Sequence, residues 1–292
     1  MQKLLTAIAV ACLAGACAGA DAPREQAQAQ TSAPATDVAL ANAVNGAWRS
    51  EAHRARDQYR HPQEALAFWG LRPGTTIVEI DPGGGSWWTQ ILAPYAHATN
   101  GRYVAGYVDL GSPTVSEGAR NARASFLQEY SNTERYGRVE AVNFGNTSGL
   151  ALPDNSADFI LVARAFHNWA RAEGRTDRYM AEFARVLKPG GVLAVEQHRA
   201  PPGSTVATSA PTGYVPESYV IEAAARAGLT LAARSEINAN PRDDHNHPFG
   251  VWTLPPVRQS APSGQPANPN FDHTEFDAIG ESDRMTLRFV KH

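Results

Sequence analysis

The feature that most constrains this chain is an alternation of two kinds of segment between residues 75 and 237. Short β-branched, apolar runs alternate with longer segments whose apolar residues recur at helical spacing. The runs predict strands at 75–80, 102–108, 138–143, 158–162, 192–196 and 229–237, with a last strand at 284–291. The segments between them predict helices at 86–95, 115–130, 176–187 and 216–227. This order predicts an α/β domain whose mostly parallel sheet is covered by helices on both faces.

Composition and charge agree with a globular domain and exclude several classes of protein. The 292 residues include 26 Lys+Arg and 29 Asp+Glu, and 43% of them are hydrophobic. The near balance of charge excludes a nucleic-acid binder that works through a broad basic surface. The hydrophobic content excludes a chain that is disordered throughout. Because only one long apolar run is present, a polytopic membrane protein is also excluded.

That apolar run lies at the N-terminus and predicts export. Lys3 is followed by an uncharged stretch that ends before Asp21. A basic start, an apolar stretch and small residues are typical of a signal peptide, which we place at residues 1–20. As a permanent transmembrane anchor the run is short, because a spanning helix needs about 20 apolar residues. We therefore expect a periplasmic protein or a membrane-anchored lipoprotein of a bacterium.

The cleavage site of this signal has two candidates. Residues 18–20 fit the small-x-small site of ordinary signal peptidase, whereas residues 13–17 resemble a bacterial lipobox, in which Cys17 carries the lipid. We favour the lipobox. Both cysteines, Cys12 and Cys17, lie in this segment. The folded part is therefore expected to form neither a disulfide nor a thiolate metal site.

The rest of the chain is expected to consist of a linker and one domain. Residues 21–45 are rich in Ala, Gln, Thr and Pro and predict a flexible linker. Residues 46–292 have a length that suits one large α/β domain. Within it, residues 238–275 form a Pro/Asn/Gly-rich stretch that predicts a long loop.

A glycine-rich turn follows the first predicted strand. Residues 79–85 read Glu-Ile-Asp-Pro-Gly-Gly-Gly and open a predicted helix, with Ser86 as its expected N-cap. Glycines let a ligand approach the backbone closely, and a helix N-terminus offers free N–H groups. Such a turn alone is a weak signal, because a simple tight turn has the same composition.

This turn resembles the first motif of the class I S-adenosylmethionine-dependent methyltransferases. In that motif an acidic residue at the end of strand one is followed by glycines two, four and six positions later. Here Glu79 is the acidic residue, Gly83 and Gly85 occupy the second and third glycine positions, and Asp81 replaces the first. Residues 150–160, 163–169 and 186–193 resemble the family's segments before strand four, after strand four and before strand five.

The resemblance implies a Rossmann-like, doubly wound sheet of seven strands with the last strand antiparallel, and S-adenosylmethionine as the cofactor. It implies a set of cofactor-binding residues: Glu79, Asp81, Gly83, Gly84, Gly85, Asp109 and Asn146. Asp109 is the nearest candidate for binding the ribose hydroxyls, and Asn146 stands where many members bind the adenine amine. From the residues alone, Asp109 as a solvated loop residue and Asn146 as a turn residue are equally open.

A closer resemblance is to a bacterial family of exported predicted methyltransferases. It shares residues 59–62, the Pro-Gly-Gly-Gly turn, residues 240–245 and residues 280–284. By this resemblance a set of residues is expected to form the substrate pocket or a lid: Tyr59, Arg60, His61, Asn168, Trp169, Asp243, Asp244 and His245. A solvated helix face is the alternative for the residues around Tyr59.

His167 is the candidate general base. It follows predicted strand four, at the edge of the sheet where ligands bind, and an imidazole titrates near neutral pH. A metal site formed by His245, His247 and a carboxylate is conceivable, since these are ligands of zinc and iron. We favour ordinary turn chemistry for this segment and assign no metal.

We therefore expect a methyltransferase that acts on an unknown small acceptor in the cell envelope, with no nucleic-acid partner. Its contact with the membrane would be limited to a lipid on Cys17. The alternative is a binding protein that keeps the fold without catalysis and holds a nucleoside-like or other envelope ligand. The substitution of Asp81 for glycine favours that alternative, because the carboxylate lies close to a site that must also hold a ligand carboxylate. A third hypothesis is a metal-dependent enzyme that uses residues 243–247.

Overall fold

The structure, a computed structural model, describes residues 37–83 and 85–292. The predicted signal at 1–20, the lipid site at Cys17, Gly84 and most of the predicted linker lie outside the described residues. Within the described residues, every helix is too short or too polar to span a membrane.

Seven strands form one sheet, and the predicted fold class is confirmed. The order across the sheet is β3-β2-β1-β6-β7-β9-β8, in which only β9 runs antiparallel to its neighbours. The strands β4 and β5 form a separate two-stranded hairpin. The strand bounds are β1 Thr76–Ile80, β2 Arg102–Gly106, β3 Glu140–Val142, β4 Phe144–Gly145, β5 Gly149–Leu150, β6 Ala157–Ala163, β7 Leu187–His198, β8 Leu229–Ser235 and β9 Arg284–Lys291.

Helices precede the sheet and connect its strands. Their bounds are α1 Val38–Val44, α2 Glu51–Arg54, α3 Asp57–Arg60, α4 Pro62–Trp69, α5 Thr89–Ala98, α6 Glu117–Glu129, α7 Thr133–Tyr136, α8 Phe166–Trp169, α9 Arg175–Val186, α10 Val206–Ser209, α11 Glu217–Arg226 and α12 Thr274–Ile279. Two 3-10 turns lie at Ala210–Thr212 and Gly250–Thr253. Helix α5 begins at Thr89, later than predicted, and Ser86 does not cap it, since Ser86 itself adopts a positive φ of 43°.

The core lies on both faces of the sheet because side chains alternate along each strand. On β1, Val78 and Ile80 face one cluster, to which the helices α9 and α11 contribute. Ile77 faces a second cluster, to which α1, α4 and α5 contribute. The strands are buried on both sides and therefore read as continuous apolar runs, as parallel strands do.

The first described helix corrects the predicted linker, which ends before residue 37 rather than at 45. Leu40, Ala43 and Val44 of α1 are buried, at the i, i+3 and i+4 spacing of one helix face. The Asp37 side chain caps the helix by accepting a hydrogen bond from the Leu40 N–H (3.1 Å) and accepts another from the Tyr95 hydroxyl (2.7 Å). The local composition resembles the linker, but the spacing of its few apolar residues allows α1 to pack on α5.

Leu40→Ala tests this correction. We expect a loss of about 2–4 kcal/mol in the free energy of unfolding, because the substitution leaves a cavity between α1 and α5. Val38→Ala is the matched control on the same helix, since Val38 is 67% exposed, and it should change stability little. Urea denaturation of both variants measures the difference. Equal stability of the two variants would mean that residues 37–45 behave as a linker after all.

Candidate active site

A cavity of about 360 Å³ opens at the C-terminal ends of the strands β1, β6 and β7, which we call the strand-end cavity. Ligands of doubly wound sheets bind at this edge. The cavity is lined by residues of four segments: Glu79, Asp81, Pro82, Gly83 and Trp88 around the glycine-rich turn; Ala163, Arg164, Ala165, His167 and Asn168 after β6; His198, Ser282 and Arg284 at the ends of β7 and β9; and Val251, Trp252, Pro255, Pro256 and Val257 of the long loop.

Asp81 carries a carboxylate into this cavity from the glycine-rich turn. Its φ is +47°, so it adopts the left-handed conformation that favours glycine and that aspartate tolerates better than most residues. This explains how Asp81 can occupy a position where the resembled motif has glycine. Burial raises the pKa of Asp81 to about 7, and Trp169 acts in the opposite direction.

Glu79 lies deeper at the same end of β1. Its carboxylate accepts hydrogen bonds from the Thr89 hydroxyl (2.8 Å) and the Tyr103 hydroxyl (2.7 Å). Burial raises the pKa of Glu79 to about 7, although both hydrogen bonds lower it. The cavity wall formed by the turn therefore holds two carboxyl groups that are partly protonated at neutral pH.

His167 and Asn168 line the opposite wall. The His167 ring is buried, lies 5.7 Å from the Trp252 ring and 6.0 Å from the His198 ring, and its Nδ1 is 3.5 Å from the Gln197 amide nitrogen. Burial, followed by the field of Arg171, lowers the pKa of His167 to about 4. The imidazole is therefore neutral at physiological pH, where it can accept a proton, and it does not titrate in the usual range of histidine.

Two residues predicted to bind the cofactor are held by other contacts. The Asp109 carboxylate accepts hydrogen bonds from the N–H groups of Gly111, Thr147 and Ser148 and from the Ser148 hydroxyl. Burial raises the pKa of Asp109, but these hydrogen bonds outweigh it and leave the pKa lowered. Asn146 accepts a hydrogen bond from the Tyr179 hydroxyl (2.9 Å). Neither lines the strand-end cavity, and their roles in cofactor binding stay predictions.

The predicted lid residues around Tyr59 lie behind the cavity rather than in its lining. Arg60 is fully buried, stacks over the Trp87 ring at 4.7 Å and donates from Nε to Glu281 (2.9 Å). The Tyr59 ring packs against Gly280, where an added Cβ would come within 2.6 Å of it. His61 Nδ1 lies 3.1 Å from the Asn238 side-chain oxygen. These contacts tie the N-terminal helices to the segment before β9.

Trp169 is a core residue, since its ring packs against Phe144 and Phe166 at 5.9 and 4.9 Å. It belongs to the apolar cluster of that face, and it does not line the strand-end cavity. Of the residues expected to form the substrate pocket or lid, only Asn168 is among the residues that line the strand-end cavity.

The predicted rim residues of the long loop form a network outside the cavity lining. The buried Asp243 accepts hydrogen bonds from the Tyr214 hydroxyl, the N–H groups of Asp283 and His245, and His247 Nε2 (2.8 Å). Asp244 is exposed and accepts a hydrogen bond from the Asn246 N–H. The part of the loop that does line the cavity is 251–257.

The histidines of this loop do not act together as the metal hypothesis requires. His247 approaches both aspartates, and its Nε2 is bonded directly to Asp243. His245 points elsewhere: its ring packs on Tyr214 at 5.0 Å and its Nε2 is 3.9 Å from Asp283. Asp243, Asp244 and His247 offer ligand atoms within 4.8 Å of one another, which is close enough for a metal ion, and Asp243 also accepts hydrogen bonds from the surrounding backbone.

Four polar residues of the cavity were not among the predicted site residues: Arg164, His198, Ser282 and Arg284. His198 Nδ1 shares a hydrogen bond of 2.5 Å with the Ser282 hydroxyl. Burial lowers the pKa of His198 well below its usual range. The sequence contained one usable signal, because Arg164 directly follows an apolar strand run and His198 lies three residues after the end of another.

Arg284 belongs to a buried ion cluster beneath the cavity. Glu281 pairs with Arg56 (2.5 Å), with Arg60 (2.9 Å) and with Arg284. Glu196 pairs with Arg284 (3.2 Å). Buried charges are stable only when paired in this way, so the cluster fixes the position of each partner.

The comparisons with known proteins agree with this fold. Residues 99–195 match the family model described as "Methyltransferase domain". The match supports the class I methyltransferase superfamily and a methyltransferase activity. It runs from the end of α5 into β7 and so does not include the glycine-rich turn. No curated protein matches the chain.

Among solved structures, the [4+2]-cyclase SpnF is 17% identical, with a TM-score of 0.52 over 88% of this chain and 93% of that chain. This likeness shows the fold. A SAM-dependent methyltransferase from Aquifex aeolicus is 22% identical, with a TM-score of 0.45 over 63% and 87% of the two chains. Geranyl diphosphate C-methyltransferase from Streptomyces coelicolor A3(2) is 12% identical, with a TM-score of 0.48 over 86% and 89%.

Asp81→Asn tests the titration of the turn. The pKa of Asp81 is raised from about 4 in the unfolded chain to about 7 in the fold. Below pH 4, Asp81 is protonated in both states and does not lower the free energy of unfolding. Between pH 4 and 7 the free energy of unfolding falls as the unfolded chain ionises first, and above pH 7 it falls no further. The variant should be more stable than the parent by up to about 4 kcal/mol at pH 8, and by only about 1 kcal/mol at pH 4.5.

The measurement is urea denaturation at both pH values. Asp244→Asn is the matched control, since the side chain of Asp244 is 67% exposed and lies outside the cavity. A stabilisation of Asp81→Asn that is the same at pH 4.5 and pH 8 would show that Asp81 does not titrate in this range.

Proposed function

We propose that the chain is an S-adenosylmethionine-dependent methyltransferase that acts on a small acceptor. The observation that carries this proposal is the match of residues 99–195 to a methyltransferase domain, together with a polar cavity at the ends of β1 and β6. The proposal includes an exported protein of the bacterial cell envelope, either free or anchored by a lipid on Cys17. Support for that location comes from the N-terminal sequence.

The turn suits the cofactor on two counts. Gly83 and Gly85 have φ values of +71° and +85°, and an added Cβ at either would meet no atom closer than 3.5 Å, so the turn leaves open space beside the backbone. The Asp81 carboxylate, which the described residues do not pair, favours a positively charged group in the cavity. When bound, S-adenosylmethionine supplies an electrophilic methyl group on a sulfonium. The residues predicted for its adenine and ribose, Asn146 and Asp109, are the weaker part of the fit.

The protein's own groups would orient the acceptor and remove its proton. Methyl transfer needs alignment of the attacking atom more than covalent catalysis. His167 is neutral at physiological pH and faces the cavity, so it can accept the acceptor's proton. Asp81 and Glu79 also line the cavity, each with a pKa of about 7 that suits general-base catalysis, and Asp81 has the fewer hydrogen bonds from neighbouring side chains.

A binding protein without catalysis is the second candidate. The fold does not fix the reaction, and Asp81 stands at a glycine position of the resembled motif. Calorimetric titration with S-adenosylhomocysteine, combined with transfer of a labelled methyl group from S-adenosylmethionine to a cell-envelope extract, separates the two. Binding without any labelled product would favour the binding protein. Absence of binding would contradict the cofactor assignment.

Gly85→Val tests the turn. We expect the affinity for S-adenosylhomocysteine to fall about tenfold or more, because a branched residue at a φ of +85° would displace the turn whose Gly83 lines the cavity. Gly264→Val is the matched control: its φ of +83° imposes the same strain, and nothing lies within 4 Å of its added Cβ. Calorimetry on both variants gives the result. If the two variants bind equally well, the turn has only a structural role.

His167→Ala tests the base. Transfer of the labelled methyl group should fall by about 10²–10⁴, while the affinity for S-adenosylhomocysteine changes little. The loss should be the same from pH 6 to 8, because an imidazole with a pKa of about 4 is already neutral there. His97→Ala, at the exposed end of α5, is the control. The result could instead assign the base to Asp81. In that case the transfer rate of His167→Ala would still rise through pH 7, and the transfer rate of Asp81→Asn would not.

A further inference from the structure

Arg164 brings a guanidinium to the wall of the strand-end cavity directly after β6. Its backbone N–H donates to the Glu196 carbonyl of β7 (2.7 Å), and its φ is +57°, an unusual value for a residue other than glycine. The neighbouring strand therefore holds this residue in a strained conformation. Strain of this kind persists where the surrounding structure imposes it, and it concentrates at ligand sites.

The guanidinium has no partner among residues 37–83 and 85–292. No ion pair within 4.0 Å and no side-chain hydrogen bond involves it in this part of the chain, and its Nε is buried without an acceptor. Burial, the largest cause, lowers the pKa of Arg164, although the carboxylates of Glu196 and Glu281 act in the opposite direction at longer range. A partly buried cation without a counter-ion is costly to a fold, so its retention calls for an explanation.

Three of the nearby carboxylates are engaged by other groups. The fourth, Asp81, lines the same cavity but forms no ion pair within 4.0 Å with Arg164 in the part of the chain that the structure describes. Glu281 pairs with three arginines, and Glu196 pairs with Arg284 and accepts from the Trp88 indole (3.2 Å). Glu79 is bonded to Thr89 and Tyr103. The ion cluster thus contains more guanidinium than carboxylate groups, and Arg164 adds a further guanidinium that faces the cavity without an ion pair in the described residues.

Arg164 lies on the side of the cavity formed by β6, β7 and β9. If the cofactor extends from the turn after β1 towards β2 and β3, as the proposed function implies, this side remains for the acceptor. We propose that the acceptor is a small organic anion and that Arg164 binds its carboxylate or phosphate group through the guanidinium fork. The identification of the anion as the methyl acceptor rests on the proposed function. The presence of an anion site at Arg164 does not depend on it.

The site can be tested with two simple probes, inorganic phosphate and benzoate. Each is titrated by calorimetry into the full chain, alone and with saturating S-adenosylhomocysteine. We expect at least one probe to bind in both states. Arg164→Met should weaken that binding at least tenfold, and Arg164→Lys, which keeps the charge and loses the fork, should weaken it less. Arg138→Met is the matched control, because the Arg138 side chain is 88% exposed on another part of the sheet.

Stability gives a readout that does not depend on a ligand. Without ligands, Arg164→Met should melt a few degrees higher than the parent, because it removes a partly buried charge without a counter-ion. A lower melting temperature would mean that Arg164 stabilises the fold and would overturn the proposal.

The remaining outcomes distinguish the source of the anion. Failure of both probes to bind the parent, or equal binding to Arg164→Met, overturns the site. If Arg164→Met loses at least tenfold in affinity for S-adenosylhomocysteine and the probes compete with it, Arg164 holds the cofactor's carboxylate and the acceptor assignment is wrong. If the parent binds a probe through Arg164 but not S-adenosylhomocysteine, the proposed function fails while the anion site stands.

Discussion

Glu281 is the point at which the two ends of the described chain are joined. Its carboxylate pairs with Arg56 and Arg60 from the N-terminal helices and with Arg284 at the start of the last strand. All but Arg56 are almost fully buried. Removal of one member of such a cluster leaves an uncompensated buried charge, which typically costs about 3–5 kcal/mol. The position of β9 between β7 and β8, and with it the floor of the cavity, depends on these pairs.

The cavity wall is built from strained backbone at two strand ends. Asp81 follows β1 and Arg164 follows β6, and these strands are neighbours in the sheet. Both residues have positive φ values although neither is glycine. In a regular strand, side chains project to one face of the sheet or the other. A left-handed residue at the strand end instead allows a carboxylate and a guanidinium from neighbouring strand ends to line one cavity.

The fold was accessible from the sequence because its signals are local. The strand 284–291 and the helix around Phe183 follow from periodicity within a dozen residues, and the structure confirms both. The helix α1 was missed because it is short and its composition matches that of the linker before it.

The site was accessible only in part, because its geometry depends on long-range order. Arg284 reaches the cavity because β9 runs antiparallel, so that the beginning of this strand lies at the edge where the parallel strands end. A pattern within one segment cannot show this. Asp109 was predicted to bind the ribose because it lies shortly after β2. In the structure Val108 adopts a φ of +23°, and the Asp109 carboxylate accepts a hydrogen bond from the Ser148 N–H. Side-chain partners of this kind are not encoded in spacing.

The two charged sides of the cavity have a common physical cause. The pKa values of Glu79 and Asp81 are raised and that of Arg164 is lowered, in each case chiefly by burial. The attraction of Arg164 lowers the pKa of Glu79, but by less than burial raises it. By the proposals above, Asp81 would bind a cationic group beside the turn, and Arg164 would bind an anionic group beside β6. Two such ligands would attract each other across the cavity, so the binding of one should favour the binding of the other.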